Sequence, residues 1–436
     1  MPKVTMMGAG STVFSKSVLG DCMASDDIED LEIALYDIDP DRLEESARML
    51  TNINETINSG CASISSYLGE QNRREALKDA GYVVNAIQVG GYEPSTVVDF
   101  EVPKKYGLRQ TIADTLGIGG IFRALRTIPV LMDFAEDMEA VCPDALCINY
   151  SNPMAMLAGA MLRHTDVSCV GLCHSVQGCA AGLCRKLDLP DDNLKWNIAG
   201  INHQAWLLDI SRNGEDLYPE IKKRAFDEKY SHKDAVRFEL MKHFGYYVTE
   251  SSEHSAEYVP YFIKSAYPEF IERFHIPLDE YPRRCVDQIK GWEKLRDELV
   301  TDKPLEHTRG HEYASYIIEA TENDVPYTFG GSVLNTGGLI ANLPENACVE
   351  IKCVADRAGL HPTRVGRLPE QLAALNRTNI NVQIMAIEAA VTGSREALYQ
   401  AALLDPHTAS ELPIDDIIAM CDEMIEAHGD FLPQFS

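Results

Sequence analysis

The sequence has no long apolar run, few basic residues for its acidic content, and no internal repeat or low-complexity tract. No stretch approaches the about 18 consecutive apolar residues of a membrane-spanning helix, so we expect no membrane span. Only 39 lysines and arginines stand against 67 aspartates and glutamates, and the formal net charge is −28. This charge argues against nucleic acid or an anionic membrane surface as the main partner, although a local site can still bind an anionic substrate.

We expect neither a signal peptide nor a disulfide framework. The first residues, MPKVTMMGAGS, run directly into a predicted strand and leave no room for a signal peptide. The 12 cysteines are irregularly spaced, and several stand inside apolar runs such as ALCINY and VSCVGLC. Such cysteines are typical of reduced, buried thiols, so we expect a cytoplasmic protein.

Short apolar strands alternate with helical segments through the first half of the chain. The runs KVTMMGAG, LEIALYDID, ALCINY and TDVSCVGLCHS predict strands with helices between them. This alternation predicts an α/β fold with a Rossmann-like, doubly wound parallel sheet. Near residue 195 the pattern changes to antiparallel strand material, LKWNIAGINHQAWLLDIS, followed by polar helices and short strands. We therefore predict a Rossmann-like domain over 1–195 and a closely packed α+β domain over 196–436.

The turn after the first predicted strand has the glycine pattern of a dinucleotide site, although the pattern is incomplete. In VTMMGAGST, Gly8 and Gly10 allow the backbone to approach a pyrophosphate, but Val13 stands where a third glycine is usual. Asp37 ends the second strand and could bind the ribose hydroxyls, which favours NAD over NADP even with Arg42 nearby. The alternative is a tight turn followed by a helix-capping aspartate. We predict an NAD site built from Gly8, Gly10, Ser11, Thr12, Asp37 and Gly90.

A cysteine and a histidine stand side by side in VGLCHSVQGC, after an apolar run. Cys173 could be a nucleophile, a disulfide partner, a metal ligand or a buried strand residue. His174 is poorly placed to act as its base, because neighbouring residues on a strand point to opposite faces. A second predicted strand, NIAGINHQAW, ends with His203, so a thiolate and an imidazole from two strand ends could together bind a metal. Spacing alone favours the buried strand residue.

Several motifs together resemble glycoside hydrolase family 4. They are GAGST, LYDID, QVGGYEPSTVVDFEVPKKYGL, TIADTLGIGGIFRALRTIPV, NYSNPMAM, GLCHSVQG, GINHQAW, GYYVTESSEHSAEY and NLPENACVE, and they run from near the first strand to the end of the chain. The run CHSV resembles the pattern of members that act on unphosphorylated α-galactosides. The resemblance implies an NAD- and manganese-dependent α-galactosidase that acts on small substrates such as melibiose. It also implies a homodimer or homotetramer.

The resemblance further implies the reaction and part of its site. Cys173 and His203 would bind manganese(II) or a similar divalent ion, while Asn152 and Asn202 would lie beside the sugar hydroxyls. The part after residue 195 would thus complete the metal and sugar site. NAD⁺ would take hydride from C3 of the galactosyl unit and the C2 proton would leave, followed by elimination, water addition and re-reduction without net oxidation. No carboxylate pair for ordinary glycoside hydrolysis can be read from the sequence.

The acid and the base of that reaction have several candidates. His174, next to Cys173, is the first candidate acid, although a histidine there could equally be structural. Asp114 in IADTLG is the alternative acid or an oxygen binder, unless it only caps a helix. The phospho-sugar relatives use a tyrosine as base where this chain has His243, so another residue must substitute. The candidates in GYYVTESSEH are Tyr246, Tyr247 and Glu250.

Two other classes of protein remain open. A plain NAD-dependent dehydrogenase would need only the Rossmann part and would release NADH, and a non-catalytic NAD-binding protein would need no open metal site. Within the family, α-glucosidase, α-uronidase and 6-phospho-glycosidase activities remain alternatives. Further candidates to line the site are His311, Glu312 and Tyr313. The residues that could bind an anionic sugar, or simply pair with carboxylates, are Arg123, Arg126, Arg283 and Arg284.

Overall fold

One mixed sheet runs through the part of the chain that the computed structural model describes, residues 2–28, 30–310 and 312–436. Its strands are β1 (Lys3–Met7), β2 (Glu32–Asp37), β3 (Ser63–Leu68), β4 (Tyr82–Asn85), β5 (Leu146–Asn149), β6 (Cys169–Gly171), β7 (Leu194–Ile201), β8 (Gln204–Arg212), β9 (Glu215–Asp216), β10 (Tyr247–Val248), β11 (Tyr327–Leu334), β12 (Cys348–Asp356) and β13 (Gly359–Pro362). They lie in the order β10-β8-β7-β12-β11-β6-β5-β4-β1-β2-β3, with β9 on β8 and β13 on β12.

Helices cover the sheet. They are α1 (Thr12–Met23), α2 (Pro40–Ile57), α3 (Arg73–Leu77), α4 (Val97–Lys105), α5 (Gly117–Val141), α6 (Met154–His164), α7 (His174–Lys186), α8 (Tyr218–Ala225), α9 (Glu228–Ser231), α10 (Ala235–Phe244), α11 (Ser252–Glu257), α12 (Glu269–Arg273), α13 (Glu280–Leu299), α14 (Tyr313–Asn323), α15 (Glu370–Thr392), α16 (Arg395–Leu404), α17 (Pro406–Glu411) and α18 (Ile414–His428). Among the helices of the described ranges, none is both long and apolar enough to cross a membrane.

The first half of the chain forms the parallel part of the sheet, in the order β3-β2-β1-β4-β5-β6. This is the strand order of a Rossmann fold, which confirms the predicted fold class. β1 and β4 are buried along their whole length, because helices pack on both faces. Leu19 and Met49 from α1 and α2 belong to one hydrophobic core, and Phe122 and Met156 from α5 and α6 belong to another.

The second half of the chain continues the same sheet with antiparallel strands. β11 pairs with β6 through Ser332 and Gly171, and β12 pairs with β7 through Glu350 and Gly200. β7 and β8 form the antiparallel pair predicted from the sequence, with a two-residue turn at 202–203. This turn carries His203, whose ring lies near the Cys173 side chain just after β6.

Cys173 does not lie on a strand, contrary to the prediction. β6 ends at Gly171, and Cys173 is the N-cap residue of α7. His174 is the first residue of that helix. The argument that the two side chains point to opposite strand faces is wrong, because the chain has already turned into a helix.

The two halves are packed together, as the sequence predicts for the second domain. Leu398 of α16 and Met420 of α18 share a hydrophobic core with Phe122 and Leu125 of α5. The predicted domain boundary at 195/196 falls inside β7, whereas a boundary in the loop between α7 and β7 would cut no strand. The division into two domains therefore stays a prediction.

Candidate active site

The turn between β1 and α1 has no room for side chains at its glycines. Gly8 has a φ of +85°, and a Cβ added there would lie 2.9 Å from the Ala86 carbonyl carbon at the end of β4. A Cβ on Gly10 would lie 2.8 Å from Asp37 Oδ2. Gly90 has a φ of +79°, and its Cβ would collide with Ser95 Oγ at 1.9 Å. These glycines therefore let the turn after β1 and the segment after β4 pack closely, as the tight turn of a dinucleotide site requires.

Asp37 and the start of α1 complete this turn. The Asp37 carboxylate accepts hydrogen bonds from the backbone N–H groups of Gly10 at 2.7 Å and Asp39 at 2.9 Å. Thr12 Oγ1 is buried and accepts a hydrogen bond from Ser46 at 3.0 Å. Ser11 is the N-cap residue, but no side chain of the described residues caps α1. The first-turn N–H groups of α1 can therefore bind an anionic group, which fits a dinucleotide phosphate.

Three potential metal ligands meet beyond the carboxyl end of β6. The Cys173 Sγ, a ring nitrogen of His203 and a carboxylate oxygen of Glu250 all lie within 4.8 Å of one another. We call these three residues the Cys173 cluster. His203 lies in the β7–β8 turn with a φ of +62°, and Glu250 follows β10 with a φ of +34°. Both are non-glycine residues in a left-handed conformation, which is common where a fold holds a functional side chain.

The electrostatics of the Cys173 cluster favour a cation. Burial raises the pKa of the Cys173 thiol well above its usual range, and the nearby Glu350 and Glu250 carboxylates raise it further. His203 Nε2 lies 3.5 Å from Glu250 Oε2, and Nδ1 is buried without a hydrogen-bond partner in the described residues. A divalent ion would stabilise the thiolate and offset the carboxylate charge, so the donor set fits a metal.

Asp114 and Asn152 lie against this cluster. Asn152 Nδ2 donates to Asp114 Oδ2 at 3.2 Å, and His254 Nε2 lies 3.6 Å from Asp114 Oδ1. Burial would raise the pKa of Asp114, but the hydrogen bond and charge of His254 and the charge of Arg123 hold it well below the usual range. Ser251 Oγ lies 3.0 Å from His254 Nδ1 and fixes the ring. Asp114 is therefore an ionised acceptor rather than a helix cap.

Asn202, which precedes His203 in the sequence, and Glu350 form a second buried pair. Asn202 Nδ2 donates to Glu350 Oε1 at 3.2 Å. Burial raises the pKa of Glu350 to about 7, although the Asn202 hydrogen bond and the His203 charge oppose this. Asn202 Oδ1, Glu350 Oε2 and the Tyr258 hydroxyl are all buried and find no hydrogen-bond partner within the described part of the chain. Buried polar atoms are normally paired, so this group of unpaired atoms is expected to bind water or a ligand.

His174 is oriented by Glu312. Its Nε2 lies 2.9 Å and 3.1 Å from the two Glu312 carboxylate oxygens, and its ring stacks on Tyr150. This hydrogen bond raises the pKa of His174 against the effect of burial. Tyr313 Oη donates to the Cys173 carbonyl at 3.3 Å, so Glu312 and Tyr313 both approach the site. His311 lies outside the described residues.

The side chains of Tyr247 and Tyr246 contact residues outside the Cys173 cluster. Tyr247 Oη donates to Asp234 Oδ2 at 2.6 Å, and the Arg237 guanidinium lies 4.5 Å from its ring centre. Lys186 and Ser252 also donate to Asp234, and we call these five residues, Lys186, Asp234, Arg237, Tyr247 and Ser252, the Asp234 cluster. Tyr246 packs edge-on against Tyr218. His243 is exposed at the end of α10 beside Glu239.

The arginines that could meet an anionic sugar contact other protein groups. Arg126 makes two hydrogen bonds to the buried Asp99 carboxylate. Arg283 and Arg284 both pair with Glu280. Arg123 donates to the Asn152 carbonyl and to the Tyr281 hydroxyl. The structure thus favours the alternative in which these arginines hold the protein together.

Sequence reasoning missed His254, Tyr258 and Glu350. Glu250, His254 and Tyr258 are spaced four residues apart around α11, so a helical reading of TESSEHSAEY could have grouped them. Glu350 stands in the middle of the apolar strand CVEIKCVAD, and a carboxylate buried within a strand is itself a signal of function. Its closeness to Asn202, however, depends on β12 lying beside β7.

The family profile described as Family 4 glycosyl hydrolase matches residues 3–189, and that of the family's C-terminal domain matches residues 198–408. The chain therefore belongs to glycosyl hydrolase family 4. It is 62% identical to an α-galactosidase of Bacillus subtilis (strain 168), and the match covers 100% of both chains. It is 34% identical to an α-galactosidase of Rhizobium meliloti (strain 1021) over 100% of this chain and 90% of that protein.

A solved structure extends the likeness of the fold. A 6-phospho-α-glucosidase from gut microorganisms, in complex with NAD and Mn²⁺, superposes with a TM-score of 0.79 over 100% of both chains. Its sequence is only 20% identical to this chain, so this likeness shows the shared fold.

Proposed function

We propose that the protein is an α-galactosidase that depends on NAD and a divalent metal, with Mn²⁺ as the first candidate. The observation that carries the proposal is the Cys173 cluster with buried, unpaired polar atoms around it, at the same sheet edge as the glycine turn. The full-length identity of 62% to an α-galactosidase supports the substrate class. A plain dehydrogenase would account for the turn but not for the cluster.

The proposed division of labour begins with binding. Gly8, Gly10, Ser11, Thr12, Asp37 and Gly90 would hold NAD, and Cys173 and His203 would hold the metal. When bound, the two groups supply a reversible hydride acceptor and a Lewis acid that acidifies the C2 proton. Asn202 Oδ1, which has no partner among the described residues, and the Asp114 carboxylate would accept hydrogen bonds from sugar hydroxyls. Asn152 orients Asp114 through its amide.

His174 is our candidate acid for the leaving oxygen. Its Nε2 is bonded to Glu312, so Nδ1 can face a substrate while the ring stays fixed. Asp114 is the poorer acid, because His254 and Arg123 favour its ionised form. We therefore propose that Asp114 binds a hydroxyl rather than donating a proton.

Tyr258 is our candidate base, in place of Tyr246 and Tyr247. Its hydroxyl is buried and unpaired within the described residues, and its ring centre lies 6.3 Å from that of His203. Tyr247, by contrast, is already bonded to Asp234. A phenol is a weak base at neutral pH, so a nearby metal charge would be needed to lower its pKa.

We also propose the cellular compartment and the oligomeric state. All twelve cysteines lie in the described ranges and are free, which supports a reducing compartment such as the cytoplasm. The family membership supports a homodimer or homotetramer.

The test is release of nitrophenol from p-nitrophenyl α-galactoside, with NAD⁺ and Mn²⁺ each supplied or omitted, while NADH absorbance is followed. We expect hydrolysis that needs both additives and no net NADH. The matching α-glucoside, α-galacturonide and 6-phospho-glycosides test the other activities of the family. NADH accumulation without cleavage would indicate a dehydrogenase, and cleavage that is indifferent to both additives would contradict the mechanism.

A further inference from the structure

We propose that Glu250 is a third protein ligand of the metal, bound through Oε2 alone, so that the ion stays in the site without sugar. This inference rests on the proposed function, because it concerns the metal held by Cys173 and His203. It also makes Glu250 a poor candidate base, since Oε2 would bind the metal and Oε1 already accepts a hydrogen bond from the Ser251 backbone N–H.

The two carboxylate oxygens of Glu250 have different surroundings. Oε1 accepts a hydrogen bond from the Ser251 backbone N–H at 2.9 Å and lies 3.7 Å from His254 Nδ1. Oε2 faces the Cys173 cluster and lies 3.5 Å from His203 Nε2. Two ligands bound to one ion at about 2.1–2.3 Å lie about 3–4.5 Å apart, which matches this separation. The geometry therefore favours monodentate binding through Oε2.

The backbone holds Glu250 in this place. Thr249, the residue before it, donates its N–H to the Ala205 carbonyl at 2.8 Å, and Thr249 Oγ1 accepts from the Ala205 N–H at 3.2 Å. Ala205 lies two residues after His203 on the same hairpin. The positive φ of Glu250 then turns its side chain toward His203. Glu250 is thus held, in a strained backbone conformation, next to the β7–β8 hairpin that carries His203. Such strain is expected where the position of a side chain is needed for function.

The net charge of the metal site also favours a third ligand. A divalent ion with one thiolate and one neutral imidazole carries a net charge of about +1, and His203 is only 3% exposed. The Glu250 carboxylate brings this charge to zero. Asp114 faces His254 and Glu350 accepts a hydrogen bond from Asn202. Among the acidic residues of the described ranges, only Glu250 joins Cys173 and His203 in a group whose ligand atoms lie within 4.8 Å of one another. Neutralisation before substrate binding allows a resident metal.

Three protein ligands still leave room for the substrate. Mn²⁺ commonly accepts about six ligands with a preference for oxygen, so about three positions stay open. Two neighbouring sugar oxygens can fill two of them. The carboxylate thus adds affinity without closing the site.

The experiment compares the wild-type protein, Glu250→Gln and the matched control Glu253→Gln, each with NAD⁺ and without sugar. Glu253 lies on α11, three residues further on, and its carboxylate faces Arg284. MnCl₂ is titrated into each protein and free Mn²⁺ is measured by electron paramagnetic resonance. We expect Glu250→Gln to weaken Mn²⁺ binding by about 100-fold, while the control binds like the wild type.

The outcomes separate this inference from the proposed function. If Glu250→Gln binds Mn²⁺ as tightly as the wild type, Glu250 is no ligand, although the metal enzyme stands. If the wild type itself binds no Mn²⁺, the proposed metal dependence fails as well. Should the variant not fold, a crystal structure of the Mn²⁺-loaded wild type decides: Oε2 within about 2.3 Å of the ion supports the inference, and more than about 3 Å overturns it.

Discussion

The Asp234 cluster and the Cys173 cluster are both partly buried, and both draw residues from the stretch 247–252. They differ in how their polar atoms are used. In the Asp234 cluster, both carboxylate oxygens accept hydrogen bonds, from Arg237, Lys186, Ser252 and Tyr247. Around the Cys173 cluster, His203 Nδ1 and the Tyr258 hydroxyl are buried without a partner in the described residues. Full pairing marks a cluster that stabilises the fold, and missing pairs mark one that awaits a ligand.

The largest expected effect comes from removing a proposed metal ligand. We expect Cys173→Ser and His203→Ala each to abolish turnover, by about 10³-fold or more, because the Lewis acid is lost. NAD binding should persist, since the glycine turn is untouched, and fluorescence titration with NADH would measure it. Near-normal activity of either variant in chelated buffer would contradict the metal assignment.

A pair of matched variants tests the two tyrosines. We expect Tyr258→Phe to lower kcat by about 10²–10⁴-fold, as loss of a general base does. Tyr247→Phe should leave kcat within about twofold and cost about 1 kcal/mol of unfolding free energy, the usual net value of one hydrogen bond. Steady-state kinetics and urea unfolding measure both. The reverse pattern would mean that the Asp234 cluster, not Tyr258, serves the reaction.

Asp234→Asn tests stability rather than chemistry. The substitution leaves the Arg237 and Lys186 charges without their carboxylate, so we expect a loss of about 3–5 kcal/mol in urea unfolding. Burial would raise the pKa of Asp234, but Arg237 and Lys186 lower it below the value in the unfolded chain. Its stabilisation is therefore fully present above about pH 4 and is lost as the pH falls further. The free energy of unfolding of the variant should lack this part of the acid dependence. If the variant and the wild type lose stability with pH in the same way, Asp234 does not make the proposed contribution.

The fold could be predicted well, because its signals are local. Glycines in a turn and alternating strands and helices depend on neighbouring residues, so the Rossmann part and the Gly8–Gly10 turn were readable. Cys173 and His203 came from resemblance, since the two residues are brought together only by the order of the strands. Tyr247 shows what a sequence motif cannot predict. It stands three residues before Glu250 in the same motif, but its phenol is hydrogen-bonded to Asp234.

The continuous sheet limits how proteins with this fold can evolve. The parallel half meets the antiparallel half strand to strand, through Ser332 and Gly171, and the helices of the last part share a core with α5. Neither half can be exchanged for that of another protein as an independent module, because each would expose an unpaired edge. We therefore expect new specificities to arise in the loops around the sheet edge.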